Sequence, residues 1–279
     1  MNRTDANIIC IIQMDKEKSL NVTSTTSLSP AAINACRDWY ASAAGQITLA
    51  RVQRIVSGMS TDIFGYYALE TGVLAGKHSF LEESRIASQF SLGAVEGEPV
   101  SVRGTPEHLP FSLSNLDLVI ASHALDCTDH PHQVLREIER VLVPEGHCIL
   151  IAFNPISFRG LGQLRYLFKP HARHCQFYST FRVREWLSVL GFEVCEIVST
   201  GFCPVFNGHY VFKQDRWLDR LGSKFRLMTG NVTIIHAQKK VSNMTPLLPS
   251  RKVKPVLRSG MVVNPGVGRF VRKESNDAK

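Results

Sequence analysis

The sequence predicts an α/β protein with a doubly wound, seven-stranded, mostly parallel sheet. Short apolar runs rich in β-branched residues recur at strand length, and amphipathic helical stretches separate most of them. The clearest segment, residues 103–155, holds a complete crossover: Leu116, Leu118, Val119, Ile120 and Ala121 read as one buried strand, and Ile149 to Phe153 as another. Between them Val134, Leu135, Ile138, Val141 and Leu142 recur at helical spacing, with Asp129 as the expected cap, Pro131 in the first turn and Pro144-Glu145-Gly146 as the stop. A strand–helix–strand crossover makes the two strands parallel, and ligands in such sheets bind beyond the carboxyl ends of the strands. The loops Ser122 to Asp126 and Asn154-Pro155 are therefore the expected functional positions.

The remaining elements follow in order. Residues 1–30 read as weakly ordered, and a helix is expected from about Ala31 to Ser57, carrying Ile33, Trp39, Tyr40, Ile47, Val52 and Ile55 on one stripe interrupted by Gly45. It either closes over a ligand site or covers the sheet edge, and the covering role is favoured because aromatic residues on a helical stripe usually pack. Phe64 to Val73 is the first strand, Arg85 to Leu92 the second and Pro99 to Arg103 a short third. After the crossover come a basic helix near Arg159 to Phe168, a helix from Thr180 to Leu190 stopped by Gly191, and a strand from Phe192 to Ser199. An insertion from Gly201 to Gly230, with a helix near Gln214 to Phe225, precedes a last strand, Asn231 to Gln238; no strong crossover helix separates the last two strands, so one antiparallel strand is expected near a sheet edge. The domain thus spans residues 31–240, and residues 241–279 form a basic linker and tail.

Composition narrows the classes. The chain has 279 residues, 44% hydrophobic and 20% charged, enough for one sizeable core. Its seven cysteines lack any C-x-x-C pair, which fits a reducing compartment better than a disulfide framework. The apolar run Ile8 to Ile12 is too short for a signal peptide or a membrane span, so a cytoplasmic protein without membrane association is expected. The net charge of +8 is uneven: residues 251–279 carry eight basic and two acidic side chains, so +6 lies in the tail and +2 in the rest. Such a tail can contact nucleic acid, but a solvated tail is the favoured reading.

With these residues in view, the run from Gly104 to Ile151 (G-T-P-E-H-L-P-F, then L-D-L-V-I, then L-R-E-I-E-R-V-L-V-P-E-G) resembles class I S-adenosylmethionine-dependent methyltransferases, and most closely their type 11 branch. The continuation F-N-P-I-S-F-R-G-L is similar to an uncharacterised proteobacterial subgroup of that branch. The resemblance implies a Rossmann-like methyltransferase fold, S-adenosyl-L-methionine as cofactor, no metal, and methyl transfer by in-line displacement to an acceptor expected to be a small molecule. By position it implies that Glu70, Gly72 and Gly76 hold the amino-acid end of the cofactor, that Thr105 and Pro106 contact adenine, and that Ser122, His123 and Leu125 line the methyl-transfer face. His123 is either cofactor lining or a general base, and Asn154-Pro155 either holds the acceptor or only ends the strand.

Four positions depart from the family pattern. Leu74 replaces a loop glycine, where it is expected to crowd the cofactor; Gly93 stands where an acid usually holds the ribose, with Glu96 and Glu98 as substitutes; Thr105 replaces an aspartate and Glu145 a glycine. They motivate a rival reading, a binding protein that kept the fold and lost catalysis. A nicotinamide enzyme is disfavoured because G-x-G-x-x-G is missing. The groups Asp126, Cys127, Asp129, His130 and His132, and His171, His174 and Cys175, match no zinc spacing. Cys127 and Cys148 read as buried, inert thiols.

Overall fold

The computed structural model describes residues 29–93, 99–157, 175–201, 205–206, 209–210 and 230–240. The N-terminal segment, the helices expected near 159–168 and 214–225, Glu96, Glu98, His171, His174 and the basic tail lie outside the described residues. Chain contacts divide the protein into two units, 1–242 and 243–279.

Strands β1 (Tyr67–Gly72), β2 (Ser88–Gly93), β3 (Val102–Arg103), β4 (Leu116–Ser122), β5 (Leu142–Phe153), β6 (Phe192–Thr200) and β9 (Val232–Lys239) form one seven-stranded sheet in the order β3-β2-β1-β4-β5-β9-β6. All neighbours pair in parallel except β9, which runs antiparallel between β5 and β6. The expected single antiparallel strand near an edge is thus in place. A separate two-stranded pairing joins β7 (Val205–Phe206) to β8 (His209–Tyr210).

Alternation along the strands divides the core between two faces. Ala68, Leu118, Ile120, Ile149, Ile151 and Ile234 point to one face and pack with Val52, Val56 and Met59 of the N-terminal helices. Leu69, Val119, Ala121, Leu150 and Ile235 point to the other, under α3 (Pro131–Val141) and α4 (Thr180–Val189).

Two expectations are corrected. The single N-terminal helix is two, α1 (Pro30–Ala41) and α2 (Ala43–Thr61), broken at Ser42, whose ψ of 158° is extended. The Ser42 hydroxyl caps α2 by accepting the Gly45 N–H at 3.2 Å. Gly45 permits the elbow, because a β-carbon there would stand 2.0 Å from the Trp39 carbonyl oxygen. Gly45→Ala is therefore expected to cost about 1–3 kcal/mol, read as a lower urea midpoint with an unchanged slope. Second, α3 is not capped by Asp129. His130 stands at the cap position with no side-chain cap bond, its own N–H donating to the Thr128 hydroxyl at 2.9 Å, and α3 ends at Val141, passing directly into β5 before Pro144-Glu145-Gly146 is reached. Residues 73–87 between β1 and β2, where no helix was expected, form turns and bends.

The family-like motif has a structural cause. Glu137 accepts the Leu109 N–H at 3.0 Å, and Arg140 donates to the Leu109 and Phe111 carbonyls at 2.9 Å each. Leu109-Pro110-Phe111 is thereby strapped to α3. Asp117, at the start of β4, accepts the Tyr66 and Tyr67 N–H groups at 2.7 and 2.9 Å and sets β1 beside β4.

One cross-strand pair makes stability depend on pH. His147 on β5 and His236 on β9 share a ring-to-ring hydrogen bond of 2.9 Å, and burial, reinforced by His147, holds His236 down to about 4. Because the folded value lies below the unfolded value of about 6.5, the unfolded chain binds more protons between them. This contribution is full above about pH 6.5 and is lost as pH falls toward about 4. Discounted for partial exposure, about 1–2 kcal/mol is at stake. Urea midpoints at pH 7 and 4.5 should fall less for His236→Leu than for the wild type.

Candidate functional site

The carboxyl ends of β1 and β4 lie side by side at the centre of the sheet, where the strand order reverses. Gly72 closes β1 with φ +103°, and a β-carbon there would meet the Ser122 carbonyl oxygen at 2.1 Å. Three further bonds tie the ends: Val73 N–H to the Ser122 carbonyl at 2.8 Å, Leu74 N–H to Ser122 Oγ at 3.2 Å, and Ser122 Oγ–H to the Thr71 carbonyl at 3.1 Å. Arg37 of α1 donates to the Val73 carbonyl at 3.1 Å, so α1 seats on the same turn.

The predicted residues divide. Gly72, Ser122 and His123 converge on this junction. Glu70 is buried, but one carboxylate oxygen accepts the Phe80 N–H at 2.6 Å, binding the carboxylate to the following loop. Burial raises its pKa above the ordinary carboxylate value, against the lowering effect of bonds from Phe80, Leu81 and Ser79. Gly76 has φ +78°, with Val100 Cγ1 2.7 Å from where its β-carbon would be. Thr105 pairs with His108 in an isolated bridge, Pro106 is buried beside it, and Leu125 is buried in the core under α3. Leu74 is 1% exposed and packs into the core on the α1–α2 face. Asn154 Oδ1 accepts the Ile156 N–H at 3.0 Å, closing its own turn.

His123 has φ +52° and no exposed surface. Its N–H donates to the Ile151 carbonyl at 2.8 Å, and its ring stacks on Phe153 with centroids 4.1 Å apart. Nδ1 lies 2.7 Å from Asp126 Oδ2, and Nε2 lies 2.7 Å from Tyr40 Oη of α1. Asp126 Oδ2 also accepts the Phe153 N–H at 2.8 Å.

Two contributors were not singled out by the sequence reading: Tyr40, on a helix read chiefly as packing, and Glu107, a 2% exposed carboxylate between Thr105 and Leu109 that accepts a hydrogen bond from the Thr128 hydroxyl. Their signal was weak, an acid inside an apolar motif and an aromatic on a helical stripe. Among the described residues, Thr71 Oγ1, Glu107 Oε2 and Asp126 Oδ1 are buried side-chain oxygens with no hydrogen-bond partner. They belong to the end of β1, the loop after β3 and the loop after β4, all at the carboxyl edge of the sheet. A buried oxygen without a donor costs about 1–3 kcal/mol, which a donor-rich ligand recovers.

Other candidate chemistry is not assembled. Among the described residues no three His, Cys, Asp or Glu side chains group to hold a metal, and no helix is long and apolar enough to cross a membrane. His132 packs on the Trp186 ring with centroids 4.2 Å apart. Cys148 is buried, and burial pushes its thiol well up. Cys127, bonded by Cys175 but opposed by Cys36 and by burial, is also held well above the ordinary thiol range.

The sheet order and this junction define the class I methyltransferase architecture. Residues 81–150 match the family model described as a methyltransferase domain. Among solved structures, one chain of the complex between the Haloferax volcanii Trm112 methyltransferase activator and a methyltransferase aligns with a TM-score of 0.54 at 15% identity, covering 80% of this chain and 100% of its own. A Thermotoga maritima S-adenosylmethionine-dependent methyltransferase, described as a possible histamine N-methyltransferase, aligns with a TM-score of 0.51 at 20% identity over 75% of this chain and 96% of its own. The Escherichia coli protein YafS, described as uncharacterized, is 35% identical over 152 residues, 54% of this chain and 62% of YafS.

Proposed function

We propose that the protein transfers a methyl group from S-adenosylmethionine to a small-molecule acceptor. The observation that carries this reading is the set of three unpartnered, buried acceptor oxygens along the carboxyl edge of β1, β3 and β4. The cofactor presents an ammonium, an amino group, ribose hydroxyls and a sulfonium charge, so two carboxylate acceptors and a hydroxyl at those loops fit it. Thr71, with the turn at Gly72, would hold its amino-acid end, Glu107 with Thr105 and Pro106 would face the adenine amine, and Asp126 behind His123 would face the transfer site. The bound cofactor supplies an electrophilic methyl carbon. The chain aligns the acceptor and keeps water away.

A second reading, a binding protein without catalysis, is favoured by one feature. Residues 73–87 carry turns where a helix usually follows the first strand, so no helix N-terminus faces the cofactor there. Incubation with methyl-tritiated S-adenosylmethionine and separated cell fractions distinguishes the readings. Label in small molecules is the expected result; label confined to RNA or protein contradicts the acceptor class. Saturable cofactor binding with no transfer to any fraction favours the binding protein.

A further inference from the structure

The Tyr40–His123–Asp126 chain has a direction. Asp126 Oδ2 accepts the Phe153 N–H, so it acts as an acceptor, and His123 Nδ1 at 2.7 Å must donate to it. In the neutral ring Nε2 then carries the lone pair and accepts the Tyr40 hydroxyl proton at 2.7 Å. Three features mark this as more than packing. His123 holds φ +52°, a conformation costly for a residue with a side chain. Asp126 keeps Oδ1 buried and unpartnered. The chain lies beyond the carboxyl ends of β4 and β5, where this architecture places its chemistry.

We propose that Tyr40 is the catalytic residue that takes the acceptor's proton, with His123 and Asp126 as positioning residues behind it, and that the acceptor nucleophile is a hydroxyl group. This rests on the methyltransferase reading above. As the hydroxyl oxygen forms its bond to the methyl carbon, its proton passes to Tyr40 Oη and the Tyr40 proton passes to His123 Nε2. The carbon–sulfur bond breaks with its electron pair left on sulfur, which becomes a neutral thioether. The resulting imidazolium faces the Asp126 carboxylate. A neutral amine attacks with its lone pair and a carboxylate is already ionised, so neither needs such a relay; a hydroxyl does. Tyr40 is 2% exposed and rides on α1, so the acceptor enters when α1 lifts from the strand ends, and α1 seats again, restoring the Tyr40–His123 bond, before transfer; the break at Ser42 supplies the joint.

Two measurements test this. The first needs neither acceptor nor cofactor: ¹⁵N spectra of the histidine rings should show one ring protonated at Nδ1 alone, whose Nε2 resonance moves in Tyr40→Phe. A His123 ring protonated at Nε2 would overturn the relay. The second uses methyl-tritiated S-adenosylmethionine with phenol, benzyl alcohol and benzylamine. Transfer to a hydroxyl probe is expected, falling at least 100-fold in Tyr40→Phe with cofactor affinity, measured by calorimetry, within twofold of wild type. Transfer to benzylamine alone, transfer by Tyr40→Phe within threefold of wild type, or no transfer by protein that binds the cofactor each contradict the proposal. Failure of the wild type to bind the cofactor overturns instead the reading on which it rests.

Discussion

Gly72→Ala is expected to weaken S-adenosylmethionine binding at least tenfold and to cost about 2–4 kcal/mol of stability. A β-carbon at this site meets the backbone carbonyl of Ser122 at 2.1 Å, and φ +103° is a conformation that residues with side chains seldom adopt. Backbone cannot swing aside as the end of a flexible side chain can. Relief must separate the ends of β1 and β4, stretching the Val73-to-Ser122 and Leu74-to-Ser122 bonds. The same movement shifts Thr71 Oγ1 from the position in which we propose it holds the cofactor. Calorimetric titration and chemical unfolding read the two effects separately. A variant with wild-type affinity would show that the cofactor does not rest on this turn.

Asp126→Ala is expected to be the most destabilising single change in the site, by about 3–5 kcal/mol. The carboxylate is 1% exposed and satisfies two buried donors, His123 Nδ1–H and the Phe153 N–H. Removing it orphans both, and the freed imidazole no longer has a fixed tautomer for Tyr40. At about 2–4 °C per kcal/mol for a chain of this size, the melting temperature should fall by roughly 6–20 °C. Asp126→Asn retains the shape and one acceptor oxygen, so a smaller loss is expected. Tyr40→Phe removes one hydroxyl and should cost about 1 kcal/mol. Equal losses for all three would show that the chain is not cooperative in the direction assigned to it.

What the sequence made legible follows from physical range. The crossover from Leu116 to Phe153 was readable because both strands and the intervening helix carry their patterns locally. The motif residues Glu137 and Arg140 could be matched because their task, strapping Leu109 to Phe111, fixes residue type and spacing together. The elbow at Ser42 was hidden because the apolar stripe continues across it. Only the three-dimensional approach of Gly45 to the Trp39 carbonyl explains the break. Leu74 read as an obstruction in the loop because its direction was unknown; its side chain turns into the core.

The site was legible in part for the same reason. Strand ends announce Gly72, Ser122 and His123. Tyr40 lies 83 residues from His123, and no local pattern connects them. Burial of Asp126 and Glu107 is equally invisible in sequence, since acidic side chains in loops are ordinarily solvated.

The central claim is that the carboxyl edge of β1, β3 and β4 holds S-adenosylmethionine, and its most direct test is calorimetric titration of the protein with that compound. Saturable one-to-one binding is predicted, with a dissociation constant on the order of 1–100 μM. Thr71→Val, which keeps the shape and removes an unpartnered oxygen, should weaken it several-fold. No heat of binding at millimolar ligand, or identical affinity in Thr71→Val and Gly72→Ala, would contradict the account.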